Sequence, residues 1–117
     1  MAKRKQRWPN IKFVSLPCWW FWGKSPEFLE LSVPARMVYF CIKSAYIPGK
    51  NGDPGNNGQI TYCYSALKNG SGFSSNSTIS KAIKELEQQG WIRRTEMGGL
   101  FRGSNKYELT GKYDPCL

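Results

Sequence analysis

The sequence predicts an α+β domain of three to four helices closed by a C-terminal β-hairpin. Two observations carry this. Ile79, Ala82, Ile83 and Leu86 recur at i, i+3, i+4 and i+7, the pattern of a helix buried along one face. After Gly90, "WIRRTEM" (91–97) and "SNKYELT" (104–110) read as strands on either side of "GGLFRG", a basic, glycine-rich tip. The size suits one domain. A chain of 117 residues, 40% hydrophobic and 15% aromatic, can bury a core without disulfides and is too apolar to be disordered.

The elements follow in order. Residues 1–10 contain Lys3, Arg4, Lys5 and Arg7 without an acid and read as a basic flexible arm; the domain spans 11–112, and 113–117 is a tail. "IKFVSL" (11–16) alternates and predicts a short strand. In the run that follows, Trp19, Trp20, Phe21 and Trp22 cannot all face one side of a helix or strand. Three readings stay open for it: core packing, a homodimer interface, and base stacking or membrane insertion. "SPEFLEL" (25–31) predicts a short helix with Ser25 as cap and Pro26 at its first position.

Ser32 caps the next helix, with Pro34 in its first turn. "VPARMVYFCIKSAY" is apolar nearly all round and reads as a central helix buried on every side, with Cys41 as a small hydrophobe within it. "IPGKNGDPGNNG" (47–58) is a loop by each of its turn signals. "QIT" (59–61) predicts a short strand. "YCYSALK" (62–68) gives one or two helical turns, ended by "NGSG" (69–72).

The helix at about 76–89 has an unusual front. Ser75, Asn76, Ser77, Thr78 and Ser80 carry short polar side chains that weaken a helix interior. Ser75 is accounted for as the cap, and Thr78 can point back to the backbone. Opposite the apolar stripe, at about 100° per residue, lie Ser77, Lys81, Lys84 and Gln88, flanked by Ser80, with Glu85 and Glu87 on the flanks toward the far end. Small hydroxyls and amides let a helix approach base edges closely, and unsatisfied N–H groups at its start favour a phosphate. The alternative is a solvated face. The formal net charge of +9 favours a polyanionic partner, with nucleic acid ahead of an acidic membrane or an acidic protein.

A short helix, a tight turn, an amphipathic helix and a β-hairpin make the order of a winged helix-turn-helix. Here the residues carry a resemblance. "STISKAIKELEQQGWIRRT" resembles the recognition helix and first wing strand of winged helix-turn-helix proteins from phage and mobile elements, a group of replication-protein-like or transcriptional regulators. "FVSLP", "SPEFLELSVPARMVYF", "NNGQIT" and "KYELT" extend the similarity over most of residues 13–110. One departure is "ALKNGSGFSS", richer in glycine and longer than the joint between helices in the resembling proteins, with Phe73 at the buried turn position.

The resemblance implies sequence-specific binding of double-stranded DNA in transcription regulation or replication initiation. The recognition helix would enter the major groove, and the hairpin tip would touch the backbone or minor groove. The expected contacts are Ser75, Asn76, Ser77, Thr78, Ser80, Lys81 and Lys84 on the helix, and Arg94, Arg102, Asn105 and Lys106 on the wing. Alternation places Arg93 and Arg94 on opposite faces, so at most one of them contacts DNA well, while Arg102 at the tip suits a narrow minor groove.

Other chemistry finds little support. The chain has no histidine and no phosphate-binding glycine loop after a strand; Asp53 and Asp114 read as isolated in loop and tail. No enzyme activity, cofactor or metal is expected. Cys18, Cys41, Cys63 and Cys116 show no C-x-x-C spacing and fit free thiols in a reducing compartment. Pro9, Asn10, Lys12 and Pro17 interrupt what could pass for a signal peptide, and no apolar run approaches the ~20 residues of a membrane span, so a cytoplasmic location is expected. Two further classes remain: an interaction module using the aromatic N-terminal segment, and a membrane-surface protein using that segment with the basic arm.

Overall fold

A computed structural model describes residues 13–96 and 104–117. It shows an α+β fold. The described elements are a 3₁₀ turn (Cys18–Trp22), α1 (Pro26–Leu29), α2 (Val33–Ser44), β1 (Ile60–Cys63), α3 (Tyr64–Ser71), α4 (Asn76–Gln88), β2 (Ile92–Glu96) and β3 (Ser104–Leu109). The strands form an antiparallel sheet in the order β1-β3-β2, pairing Ile60 with Tyr107 and Ile92 with Leu109. The sheet is wider than a hairpin because β1 adds itself to the outer edge of β3. At Thr95 the β2–β3 register shifts, and the Thr95 hydroxyl donates to the Gly58 carbonyl at 2.7 Å.

Capping follows the sequence closely. The Ser25 side chain accepts from the Phe28 N–H at 3.2 Å and Ser32 from the Ala35 N–H at 3.3 Å, each with a proline in the first turn. The core gathers Ala35, Val38, Tyr39 and Ile42 of α2, the apolar stripe of α4, and Ile60, Ile92, Tyr107 and Leu109 of the sheet.

Five expectations change. Residues 13–16 form no strand; the Lys43 ammonium donates to the Ser15 carbonyl, occupying a group that a strand would have paired (residues 11 and 12 lie outside the described part). The aromatic run divides. Residues in a 3₁₀ turn diverge by about 120°, so Trp20 is 1% exposed, stacked on Phe28 at 4.9 Å, while Phe21 and Trp22 remain 60% and 67% exposed. Helix α2 is not buried all round: Val33, Arg36, Met37 and Phe40 line an open face opposite its core side.

The helix predicted for 62–68 starts later and runs further: Tyr62 and Cys63 belong to β1, α3 begins at Tyr64 and continues through Asn69, Gly70 and Ser71, and Gly72 ends it with φ of 84°. Gly70 passes close to Cys41: an added Cβ would stand 2.9 Å from its sulfur. Only Gly72, Phe73, Ser74 and the cap Ser75 then separate α3 from α4, and Phe73 packs against the core. The joint is compact despite its glycines.

Asp114 is not isolated. It is 2% exposed, its carboxylate 2.7 Å from the Lys43 ammonium and accepting from the Tyr39 hydroxyl. Burial, and then the Asp114 hydrogen bond, hold the Tyr39 phenol far above its usual range. Tyr113 packs on Trp91 with ring centres 5.2 Å apart. Among the described residues, no helix is long and apolar enough to cross a membrane.

Candidate nucleic-acid interface

Helix α4 is built to show one face. Ile79, Ala82, Ile83 and Leu86 are buried, anchoring it against α2 and α3. The Ser75 hydroxyl accepts from the Thr78 N–H at 3.4 Å, as a cap should. Asn76, Ser77, Lys81, Lys84 and Gln88 are exposed, and Thr78 and Ser80 half-buried. Thr78 and Ser80 therefore frame the outer face more than they form it. Neither Lys81 nor Lys84 pairs with an acid among the described residues.

The acids of α4 are both engaged. Glu85 reaches the head of α2, accepting from the Ser32 N–H at 2.7 Å and the Ser32 hydroxyl at 2.6 Å. Glu87 accepts from Arg94 at 2.9 Å through both Nε and Nη2. A bidentate guanidinium–carboxylate pair is among the stronger side-chain contacts. The hydrogen bond to Glu87 raises Arg94 above its ordinary value, so it stays fully charged. The outer face of α4 thus keeps its cations while its two acids, on the flanks, are engaged by Ser32 and Arg94.

No protein-family model, curated protein or solved structure matches the chain.

The sheet residues are placed differently. Arg93 and Arg94 do face opposite ways, and their ion-paired side chains are 65% and 17% exposed. Arg94, expected on DNA, is turned onto α4; Arg93 is the outward one, and it pairs with Glu108 at 2.7 Å. Lys106 lies 3.5 Å from Glu96 and donates to Gln59 at 3.2 Å. Asn105 donates to the Tyr107 hydroxyl at 3.0 Å. Arg102 lies outside the described residues. Ser77, Lys81 and Lys84 therefore share one open face of α4, with Asn76 exposed at its start, whereas Arg94, Asn105 and Lys106 all have partners within the protein.

Sequence reasoning missed Glu85 and Glu87. Both looked like ordinary helix-flank acids; their partners Ser32 and Arg94 lie on other elements. Only the i, i+7 spacing from Glu87 to Arg94 across Gly90 could have hinted at the second pair. No group of three or more His, Cys, Asp or Glu able to hold a metal occurs among the described residues.

Proposed function

We propose that the chain binds double-stranded DNA as a winged helix-turn-helix domain. In this reading α2, α3 and α4 are the three helices, α4 enters the major groove, and β2–β3 is the wing. The element order and the sheet order β1-β3-β2 are compatible with it. One observation carries the reading: α4 presents Asn76, Ser77, Lys81 and Lys84 to solvent while Glu85 and Glu87 are tied down by Ser32 and Arg94. A solvated helix also leaves lysines without partners, but open cations on a face whose neighbouring acids are engaged elsewhere are what a phosphate-facing helix needs. The similarity of "STISKAIKELEQQGWIRRT" to phage and mobile-element regulators adds the process, transcription control or replication initiation, in which a sequence-specific duplex binder would act.

The test is a fluorescence-anisotropy titration of the full chain against labelled duplexes from low to moderate salt. If about five phosphates are neutralised, log K falls with log salt at a slope near −4 to −5. A slope near zero, or no binding to any duplex at low salt, sinks the proposal. Selection from random duplexes then decides whether binding is sequence-specific.

A further inference from the structure

We infer that a cleft on the far side of α2 receives an amphipathic, acidic segment of a partner protein. The cleft has a volume of about 510 Å³ and lies between the 3₁₀ turn, α1 and α2. Its walls include Phe21, Leu29, Val33 and Phe40, and Arg36 is the one charged residue among the described lining. Phe21, Leu29 and Val33 are all at least half exposed, which leaves this apolar surface uncovered. On α2, positions 33, 36, 37 and 40 fall opposite 35, 38, 39 and 42, the side packed against α3 and α4. The cleft therefore opens away from α4, and its occupant does not compete for the outer face of that helix.

Three observations select the occupant. The exposed apolar run extends beyond the cleft: Trp22, which follows the lining residue Phe21, is 67% exposed and does not line it. A small molecule filling the cleft would leave such a ring in water, whereas a helical segment has the length to reach past the cleft. Next, the Arg36 guanidinium lies 4.6 Å over the Phe28 ring in the cleft lining and donates from Nη2 to the Leu29 carbonyl at 3.1 Å, and no acid pairs with it among the described residues. A cation set in an apolar cleft without an acid suits a carboxylate. Glu27 and Glu30 fall on the other side of α1 from Phe28 and Leu29, so α1 supplies none. Finally, the chain itself is a poor occupant. A two-fold contact centred here would bring Arg36 against its own copy and two chains of net charge +9 together, and residues 1–12 contain no acid.

The experiment pans the full chain against a display library of random peptides, then titrates one enriched peptide, synthesised with a fluorophore, against variants. The inference expects enriched sequences that combine bulky apolar residues at helical spacing with Asp or Glu. Val33→Asp and, independently, Leu29→Asp should abolish binding, and Arg36→Gln should weaken it about tenfold or more. Val33→Asp and Leu29→Asp should melt near the parent, since positions 29 and 33 are exposed, and Lys81→Ala should bind the peptide like the parent. The inference fails if no sequence is enriched, if enriched sequences lack acids, or if Arg36→Gln binds undiminished. It fails equally if sedimentation shows a dimer of the chain that Val33→Asp dissociates. None of these outcomes bears on duplex binding, so this inference and the DNA proposal stand or fall separately.

Discussion

Glu85 of α4 caps helix α2 from 53 residues away: its two carboxylate oxygens take the Ser32 N–H and the Ser32 hydroxyl at 2.7 and 2.6 Å. Ser32 also turns its own oxygen to the Ala35 N–H at 3.3 Å. The head of α2, whose first N–H groups lack partners within the helix, is thus satisfied by α4 as well as by its own cap. The contact fixes the angle between the two helices and withdraws an acid from the face of α4. Glu85→Ala should cost about 1 kcal/mol of stability, the usual value of a helix cap. Because the residues share one contact, Ser32→Ala combined with Glu85→Ala should cost clearly less than the sum of the single changes. A double-mutant cycle by urea unfolding measures this.

The Lys43–Asp114 pair makes a larger prediction. Both side chains are almost wholly buried, 3% and 1% exposed. Removing one member leaves an uncompensated charge in the core, which typically costs about 3–5 kcal/mol. Asp114→Ala should therefore lower the melting temperature sharply, although it lies only three residues before Leu117. Lys43→Met added to Asp114→Ala should recover much of the loss, because the second change removes the stranded cation. If Asp114→Ala melts like the parent, these residues do not close the core as described.

Alkaline pH should unfold the protein through its buried phenols and a buried thiol. Burial pushes the phenols of Tyr39 and Tyr107 and the thiol of Cys41 above their ordinary values. For each, the folded value exceeds the unfolded one, so the stabilisation is fully present below the unfolded pKa and is lost as pH rises. The decline should begin near pH 9 for the thiol and near pH 10 for the phenols. Each group then contributes up to about 1.4 kcal/mol per pH unit until it ionises in the folded state too. Tyr107→Phe should make the slope of unfolding free energy between pH 10 and 11 shallower than the parent's. An unchanged slope would place the titration elsewhere.

Much of this fold was legible because its signals are local. A serine followed by a proline announces α1 and α2, and the i, i+3, i+4, i+7 stripe announces α4. Gly90, with φ of 86°, stands where it must between α4 and β2. What was hidden depends on partners distant in sequence. Nothing near Asp114 distinguishes a free tail from a buried ion pair, since the lysine that decides it is 71 residues away. Arg93 and Arg94 alternate as expected, but Glu87 decides which one is withdrawn. The 3₁₀ turn that buries Trp20 and exposes Trp22 has no period that a run of four aromatics could reveal. At the candidate site, the outward placement of Ser77, Lys81 and Lys84 followed from periodicity alone; the hydrogen bonding of Glu85 to Ser32 and the ion pair of Glu87 with Arg94 did not.

The sharpest prediction separates contact, support and core on a single helix. Lys81 and Lys84 are exposed, so Lys81→Ala and Lys84→Ala should fold normally, alanine being the best helix former. Each should weaken duplex binding on all sequences alike, and each should reduce the magnitude of the salt slope by about 1 if it neutralises one phosphate. Ser77→Ala should instead relax preference at one base step, if its hydroxyl reads a base edge. Ile83, 1% exposed, faces inward; Ile83→Ala should cost about 2–5 kcal/mol and lose binding only through unfolding. Arg94→Ala is the informative intermediate. It removes no cation from the outer face but frees the Glu87 carboxylate on the flank of α4, so binding should fall through repulsion of phosphate, and Glu87→Gln added to Arg94→Ala should restore most of it. Were Arg94 itself on the DNA, the second change would restore nothing. Melting curves beside binding titrations for these variants distinguish the cases. Should Lys81→Ala and Lys84→Ala bind like the parent while Arg93→Ala loses affinity, the wing is the element that meets DNA, and the polar start of α4 serves only to cap it.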